Sequence, residues 1–158
     1  MDNSAIINKF YNSFAAGDAE AMVECYAPDI IFEDPAFGIL IGDDAKNMWR
    51  MLIERSNGGL KINHSNVKSN ATSGSAEWIA DYPFASTGRS VVNKISATFE
   101  FKDGKIIEHT DHFDLWKWSR QALGLKGILL GWTSIFKKSL HKQTTSLLIK
   151  YTNQKNQH

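Results

Sequence analysis

Cysteine and long apolar runs are what this sequence most clearly lacks. The chain has one cysteine, Cys25, which excludes an internal disulfide and is consistent with a reducing compartment. No stretch approaches the roughly 18 apolar residues of a membrane span, and no basic region followed by an apolar stretch opens the chain. We therefore expect a cytoplasmic protein without a signal peptide, in which Cys25 is a buried, unreactive thiol.

The sequence also lacks an excess of charge of either sign. Eighteen basic residues against seventeen acidic residues leave a formal charge of +1, which does not provide the dense cationic surface that nucleic acids require. A chain of 158 residues with 42% hydrophobic content can form a sizeable core within one domain. We expect no nucleic-acid partner, and we favour a soluble protein over one that acts at a membrane.

The apolar periodicity is helical in the first third of the chain and has a period of two after it. The spacing predicts a helix from about Asn3 to Ala16 that Gly17 stops, and a second helix that Asp18 caps and Pro28 ends. A short strand, Ile30 to Glu33, precedes a third helix that begins near Gly42. Further strands are predicted at Leu60 to Ser69, Ser75 to Ala85, Val91 to Lys102 and Lys105 to about Trp116.

Helices followed by a meander of antiparallel strands are typical of an α+β fold. The strands are too long for the helices to cover a flat sheet, so we expect a curved sheet wrapped around the helices, with a pocket inside. Residues 1–116 are predicted to form this domain, and residues 117–158 a helical extension packed on it. In the extension we expect one buried apolar stripe: Trp132, Phe136, Leu140, Leu147 and Tyr151.

Two aspartates lie in or directly after apolar strands. Strand alternation places Ile107, His109, Asp111 and Phe113 on one face, so Asp111 is expected to point inward beside His109. An unpaired buried charge is costly, which leaves two interpretations open: proton chemistry on an apolar ligand, or a satisfied structural pair of His109 and Asp111. For Asp34 the alternative is a turn in which the side chain bonds to its own backbone.

A metal site is not expected in the last strand. His109, Asp111, His112 and Asp114 alternate between opposite faces, so at most two neighbours share a face.

Several motifs in a fixed order resemble a known superfamily. Ala16-Gly17-Asp18, Tyr26-Ala27-Pro28-Asp29, Glu33-Asp34-Pro35 and the hairpin strand from Gly104 to Asp111 resemble ketosteroid isomerase and the SnoaL-like polyketide cyclases. That superfamily shares its fold with nuclear transport factor 2. The resemblance covers about Asn3 to Trp116 and implies a cone-shaped α+β barrel, with three N-terminal helices packed in a strongly curved antiparallel sheet.

The same resemblance implies roles for individual residues. Asp34 falls where the isomerase has its proton-shuttling base, and Asp111 where the cyclases have their acid/base aspartate. The isomerase's two oxyanion donors are missing, since Phe10, next to Tyr11, and Ala97 occupy those positions. Steroid isomerisation is therefore not expected, because those donors stabilise the developing charge. We expect Asp34 and Asp111 to be the catalytic acids or bases, with His109 orienting Asp111.

The expected function is binding of a small, mainly apolar molecule in the cone, with isomerase, cyclase or hydrolase chemistry that needs no cofactor. The alternative is a ligand-binding or dimerisation module of the same fold without enzymatic activity. The expected pocket lining is aromatic and comprises Phe10, Tyr11, Phe14, Trp49, Trp78, Tyr82, Phe99 and Phe113.

Two further expectations concern partners. Leu115, Trp116 and Trp118 add apolar area at the exposed end of the last predicted strand, which favours a homodimer. A weaker alternative for the basic tail helix is contact with a membrane surface.

Overall fold

The computed structural model describes residues 2–157, which form a six-stranded sheet with helices on both of its sides. In chain order the elements are α1 (Asn3–Ala15), α2 (Ala19–Val23), β1 (Tyr26–Asp34), β2 (Gly38–Ile41), α3 (Asp43–Ser56), β3 (Lys61–Ser69), β4 (Ser73–Pro83), β5 (Ser90–Lys102), β6 (Lys105–His112), α4 (Leu115–Leu123), α5 (Leu125–Leu130) and α6 (Ser134–Asn156). The predicted α+β fold with a curved sheet is confirmed.

The strand order of the sheet brings the two candidate acids together. The order is β2-β1-β6-β5-β4-β3, and every ladder is antiparallel except the one between β1 and β6, which is parallel. This parallel ladder pairs Glu33 with Thr110. Asp34 and Asp111 each follow one of these paired residues, so they lie next to each other on neighbouring strands. The expectation of an entirely antiparallel sheet was wrong at this ladder.

The core lies between α1, α3 and the concave face of the sheet. The buried residues include Met48 and Trp49 of α3 and five apolar or aromatic residues of α1 at helical spacing: Ile6, Ile7, Phe10, Tyr11 and Phe14. In β5 every second residue from Val91 to Phe101 is buried, which confirms the predicted alternation. The turns follow the predicted signals, since Gly17 has a φ of 73° after α1 and Asp18 accepts a hydrogen bond from the Ala21 backbone N–H.

A bulge changes one residue of the predicted inner face of β6. Glu100 pairs with Glu108 and Phe101 with Ile106, so Ile107 is an extra residue in the ladder. Ile106 is therefore fully buried and Ile107 only half-buried, which is the reverse of the expectation for Ile107. Beyond the bulge, His109 and Asp111 lie on the buried face.

Other element boundaries also differ from the sequence prediction. The second helix ends at Val23, and Tyr26 begins β1 instead of continuing that helix. The last strand ends at His112, so Leu115, Trp116 and Trp118 belong to α4, where Leu115 and Trp118 are buried. These two residues are not available to a partner, and the reason given for a homodimer was therefore wrong.

The tail packs through part of the predicted stripe, because Phe136, Leu140 and Tyr151 contact the core clusters whereas Trp132 and Leu147 are exposed. Trp132 precedes α6 and is 65% exposed, and Leu147 is 39% exposed, whereas Leu148 is 4% exposed and contacts the main core. Leu148 lies three residues before Tyr151, which also packs on the main core, so the two share one side of the helix. Helix α6 continues to Asn156, and His158 lies outside the described residues.

Helix α6 crosses the turn that follows Asp34. The Thr144 hydroxyl donates a hydrogen bond of 2.9 Å to the Ala36 carbonyl oxygen. Phe136 and Leu140 pack on a smaller cluster formed by Val91, Leu115, Trp118 and Ala122. Between residues 2 and 157, no helix combines the length and apolar character needed to cross a membrane.

Candidate functional site

A continuous chain of buried hydrogen bonds surrounds Asp111. Trp49 Nε1 lies 2.9 Å from the Tyr26 hydroxyl, which lies 2.7 Å from His109 Nδ1. His109 Nε2 lies 2.9 Å from Asp111 Oδ1, and Trp78 Nε1 donates to the same oxygen over 3.3 Å. The chain runs from α3 through β1 and β6 to β4, so it links four elements of the cone.

The direction of these hydrogen bonds follows from their end groups. An indole N–H can only donate, so the Tyr26 oxygen accepts from Trp49 and its own proton is free to go to His109 Nδ1. His109 then carries its proton on Nε2 and donates it to Asp111. Asp111 Oδ1 thus receives two donors from the protein, and Oδ2 is left for another partner.

His109 lies inside a cage of aromatic rings. Its side chain is fully buried, and its ring centroid lies 4.5 Å from that of Phe99, 5.2 Å from that of Phe32 and 5.4 Å from that of Phe10. The indole of Trp49 stacks on the imidazole with an interplanar angle of 12°. The cage holds the imidazole in one orientation, so Nε2 stays directed at Asp111.

Asp34 uses one carboxylate oxygen to close the turn between β1 and β2. Its Oδ1 accepts hydrogen bonds from the backbone N–H groups of Ala36 and Phe37, over 2.9 Å and 2.5 Å. This is the turn considered as an alternative for the Asp-Pro motif. The turn occupies Oδ1 only, so Oδ2 of Asp34, like Oδ2 of Asp111, is not used by these bonds.

The environment of Asp34 favours its protonated form. Burial raises the pKa of Asp34 from 3.8 to about 7, the two backbone N–H donors oppose this rise, and the nearby Asp111 adds to it. A carboxyl whose pKa lies near neutral pH can both accept and release a proton there. Asp34 and Asp111 therefore form an electrostatically coupled pair of acids at one end of the β1–β6 ladder.

The hydroxyl of Tyr11 is buried close to this pair without a hydrogen-bond partner of its own among the described residues. Burial raises the pKa of Tyr11 well above 10.0, and Asp111 and Tyr26 raise it further. The hydroxyl therefore remains protonated and is a potential donor. The ring packs between His64 and Trp78, with centroid distances of 5.2 Å and 5.8 Å.

The aromatic residues expected to line a pocket pack mainly against one another. Phe10, Tyr11, Phe14, Trp49, Trp78 and Phe99 are buried in the main core. Tyr82 and Phe113 are only half-buried and lie between this core and the smaller cluster under α4, where Tyr82 accepts a hydrogen bond from Trp118 Nε1. Six of the eight residues thus belong to the main core, where Trp78 contacts Asp111, and Tyr82 and Phe113 lie at its border.

Two open clefts occur on the surface away from the acids. One lies between α2, α3 and the end of α6 and includes Arg50 and Tyr151. The other lies on the outer side of the sheet and includes Asp29 and Glu108. Neither is lined by Asp34, His109 or Asp111. Within residues 2–157, no three His, Cys, Asp or Glu side chains are grouped so that they could hold a metal ion.

Tyr26 is the site residue that sequence reasoning missed. It was assigned to the second helix because Met22, Val23 and Tyr26 have helical spacing, whereas the structure places it at the start of β1, next to His109. Its partner Trp49 was recognised only as an apolar residue. Pro28 disfavours helix in Ala27, the residue before it, which could have indicated that the helix ends before this point.

The chain belongs to the SnoaL-like domain family. The sequence model of that family matches residues 7–109, which include β1 and most of β6 but leave α4, α5 and α6 outside the match. The members of the family include polyketide cyclases and isomerases. No curated protein matches the chain significantly.

Solved structures share the fold at low sequence identity. A proposed polyketide cyclase from Pseudomonas putida is 22% identical, with a TM-score of 0.63 over 77% of this chain and 98% of its own. An NTF2-like protein of unknown function from Burkholderia pseudomallei is 18% identical, with a TM-score of 0.64 over 78% and 99%. TerC, co-crystallised with polyporic acid, is 16% identical, with a TM-score of 0.60 over 70% and 89%. At these identities the similarity shows the fold alone.

Proposed function

We propose that the protein binds a small, mainly apolar molecule inside the cone and transfers protons to and from it without a cofactor. The observation that carries this proposal is the pair formed by Asp34 and Asp111, with one oxygen of each held by the protein. Asp111 is buried and Asp34 is half-buried, and the second oxygen of each accepts no hydrogen bond from the described residues. A buried acid without a partner costs stability, which is typical of groups kept for function. A ligand with a polar group among apolar rings would complement this arrangement.

Each acid has a separate role in this proposal. Asp111 is the main acid/base group, and His109 is a positioning residue that holds Oδ1 so that Oδ2 faces the ligand. Asp34 is the second acid/base group, and its pKa of about 7 allows it to exchange protons at neutral pH. Tyr11 supplies a neutral hydrogen-bond donor to an oxygen of the ligand, which is a role that its unpaired hydroxyl can fill.

The alternative function is ligand binding without chemistry. It is favoured by the close packing of the rings around His109, which restricts the space for a reacting molecule. Binding alone would require only that an apolar ligand displaces part of this packing. The co-crystallisation of TerC with polyporic acid suggests a hydroxylated aromatic quinone as a binding probe.

Proton exchange separates the two functions. The full-length protein would be mixed with 1-indanone in heavy water, and loss of the proton signal next to the carbonyl would be followed by NMR. We expect the protein to accelerate the exchange, and Asp111→Asn to abolish the acceleration while preserving the fold. The rate of the parent should rise with pH through about 7, and this rise should be absent in Asp34→Asn.

The matched control for this experiment is Asp81→Asn, which changes an exposed aspartate on β4. It should exchange 1-indanone as fast as the parent. Equal acceleration by Asp111→Asn and the parent would contradict the proposed chemistry. Calorimetric binding of polyporic acid by both proteins, without any exchange of 1-indanone, would establish the binding function instead.

We also propose that the protein forms a homodimer through the outer face of the sheet. The support is the exposure of the apolar side chains Ile79 and Val92, on adjacent strands β4 and β5. Light scattering should give twice the mass of one chain, and Ile79→Glu with Val92→Glu should give the mass of one chain. A parent that scatters as a monomer at micromolar concentration would contradict this.

A further inference from the structure

Helix α5 and the residues after it turn their large apolar side chains toward the solvent. Leu129, Trp132 and Ile135 are 60%, 65% and 80% exposed. We call this surface the α5 plate; it is formed by Leu125, Ile128, Leu129, Leu130, Trp132 and Ile135. A contiguous group of this size on one short segment is unusual for a protein surface and indicates a contact with an apolar partner.

The small residues of this segment explain why the large ones face outward. Gly127 and Gly131 are buried against Ser119 of α4, and a Cβ atom at Gly127 would overlap the Ser119 carbonyl oxygen. The Trp116 indole adds a hydrogen bond of 3.2 Å to the Ile128 carbonyl. In an ordinary surface helix the large apolar side chains face the core. Here glycines occupy the side that packs on α4, so the large apolar side chains of the plate lie on the outward side.

The charge of the surrounding chain is entirely positive. Between Leu115 and His158 there are eight lysine and arginine residues and no aspartate or glutamate, although the whole chain is almost neutral. Exposed Lys126 lies within α5. Lys138 and Lys142 stand three and seven residues after Ile135 in α6, so they continue its stripe. The apolar plate is therefore bordered by cations.

The combination of exposed apolar side chains and surrounding lysines indicates which kind of partner can cover the plate. In a symmetric dimer the same surface faces itself, so the lysines of one copy would oppose those of the other. An anionic lipid surface has both an apolar interior for the plate and negative headgroups for the lysines. Tryptophan is also favoured at the level of the headgroups, where Trp132 would lie.

We propose that the α5 plate binds the surface of an anionic lipid bilayer, with its leucine and isoleucine side chains among the acyl chains and the lysines at the headgroups. The site is separate from the acids in the cone and does not depend on the function proposed for them. The contact is peripheral, because α5 has six residues and lies along the surface instead of crossing it.

The test uses the full-length protein and vesicles of phosphatidylcholine alone or mixed with phosphatidylglycerol. Co-sedimentation should occur with the mixed vesicles and fall as salt is added, since salt screens charges at the surface. Leu129→Ser with Leu130→Ser should weaken binding by about tenfold or more, because two apolar side chains no longer leave water. Lys126→Gln with Lys138→Gln should weaken binding to the mixed vesicles as well.

The matched control is Ile39→Ser with Ile41→Ser, which removes two side chains of β2 that are 61% and 60% exposed. This variant should bind the mixed vesicles as well as the parent does. Absence of binding to the mixed vesicles, or equal binding to both kinds of vesicle, would overturn the proposal. So would a dimer seen by light scattering that Leu129→Ser with Leu130→Ser dissociates, because a second copy would then cover the plate.

Discussion

At the scale of single residues, hydrogen bonding distinguishes polar side chains that are fully bonded within the fold from those that still have a free donor or acceptor. His109 has both ring nitrogens in hydrogen bonds and five aromatic neighbours, so its imidazole serves packing and orientation. The Tyr11 hydroxyl and the Oδ2 atoms of Asp34 and Asp111 are different, because they make no hydrogen bond within the described residues. At this scale the proposed site consists of these unused atoms.

Replacing Tyr11 with phenylalanine should stabilise the protein. The change removes a buried hydroxyl that has no partner, and leaving such a group unpaired costs about 1 kcal/mol or more. We expect the free energy of unfolding, measured with denaturant, to rise by about 1 kcal/mol. Tyr82→Phe is the control with the opposite sign, since it leaves the Trp118 indole N–H without its acceptor. A loss of stability in Tyr11→Phe would mean that the hydroxyl bonds within the fold.

Asp34 should make stability depend on pH. Its pKa is raised to about 7 in the folded protein, so between pH 3.8 and about 7 the folded state holds a proton that the unfolded state has released. The free energy of unfolding therefore falls as pH rises through this window, by at most about 1.4 kcal/mol per pH unit, and levels off above it.

The measurement is denaturant unfolding of the parent and of Asp34→Asn across that window. Asparagine still accepts the two backbone hydrogen bonds but does not ionise. The variant should therefore lose this part of the pH dependence of the free energy of unfolding, and it should be more stable than the parent at pH 8. Asp29→Asn, an exposed position in the same strand, should behave like the parent. Identical pH profiles for Asp34→Asn and the parent would show that Asp34 is ionised throughout.

At the scale of elements, one contact brings the two candidate acids together and another determines which apolar side chains face the solvent. The parallel ladder of β1 with β6 places Asp34 beside Asp111, although they are far apart in the sequence. The contact of α5 with α4 through glycine determines which side chains of α5 face outward. Both contacts are made by backbone, so they are sensitive to small changes in the size or position of a residue.

A methyl group at Gly127 should separate α5 from α4. Because the new Cβ would overlap the Ser119 carbonyl oxygen, we expect Gly127→Ala to lower the free energy of unfolding by about 1–3 kcal/mol, as overpacking usually does. Thermal unfolding measures the effect. Lys126→Ala, an exposed position in the same helix, is the control and should be close to neutral. A melting temperature unchanged by Gly127→Ala would show that α5 is not held against α4.

For the whole molecule, α6 attaches the tail to the main core and to the turn after Asp34. Leu148 packs in the main core, and the Thr144 hydroxyl donates a hydrogen bond to the turn after Asp34. Lys155 Nζ lies 3.3 Å from Oε2 of Glu54 in α3. The ion pair is exposed and contributes little, so burial of apolar side chains supplies most of the attachment. We propose on these contacts that residues 117–158 are an extension of the domain that covers the side of Asp34.

Ending the chain after Thr133 tests this role of α6. The truncated protein should melt at a lower temperature and bind more of a dye that fluoresces on apolar surfaces, because the area under Leu148 becomes exposed. A chain that ends after Asn153 is the control, since it loses only the polar last residues and should behave like the parent. Unchanged melting and dye binding after the larger truncation would show that α6 is independent of the cone.

The sequence by itself determined the local features of this protein. Periodicity found α1, α3 and the four long strands, because the spacing of apolar residues follows directly from helix and strand geometry. Glycine and aspartate marked the turn after α1, since their conformational and hydrogen-bonding preferences are local. The inward direction of His109 and Asp111 could be derived in the same way, and the order of the motifs indicated the family.

Only the tertiary structure decided the features that depend on contacts between distant segments. Periodicity does not reveal which strands pair, so the parallel ladder that joins Asp34 to Asp111 was not expected. Tyr26 acquires its role from His109, which lies 83 residues further along the chain. The bulge at Ile107, the burial of Leu148 instead of Leu147 and the outward plate of α5 have the same origin. In each case packing against another element determines which side of a segment is buried.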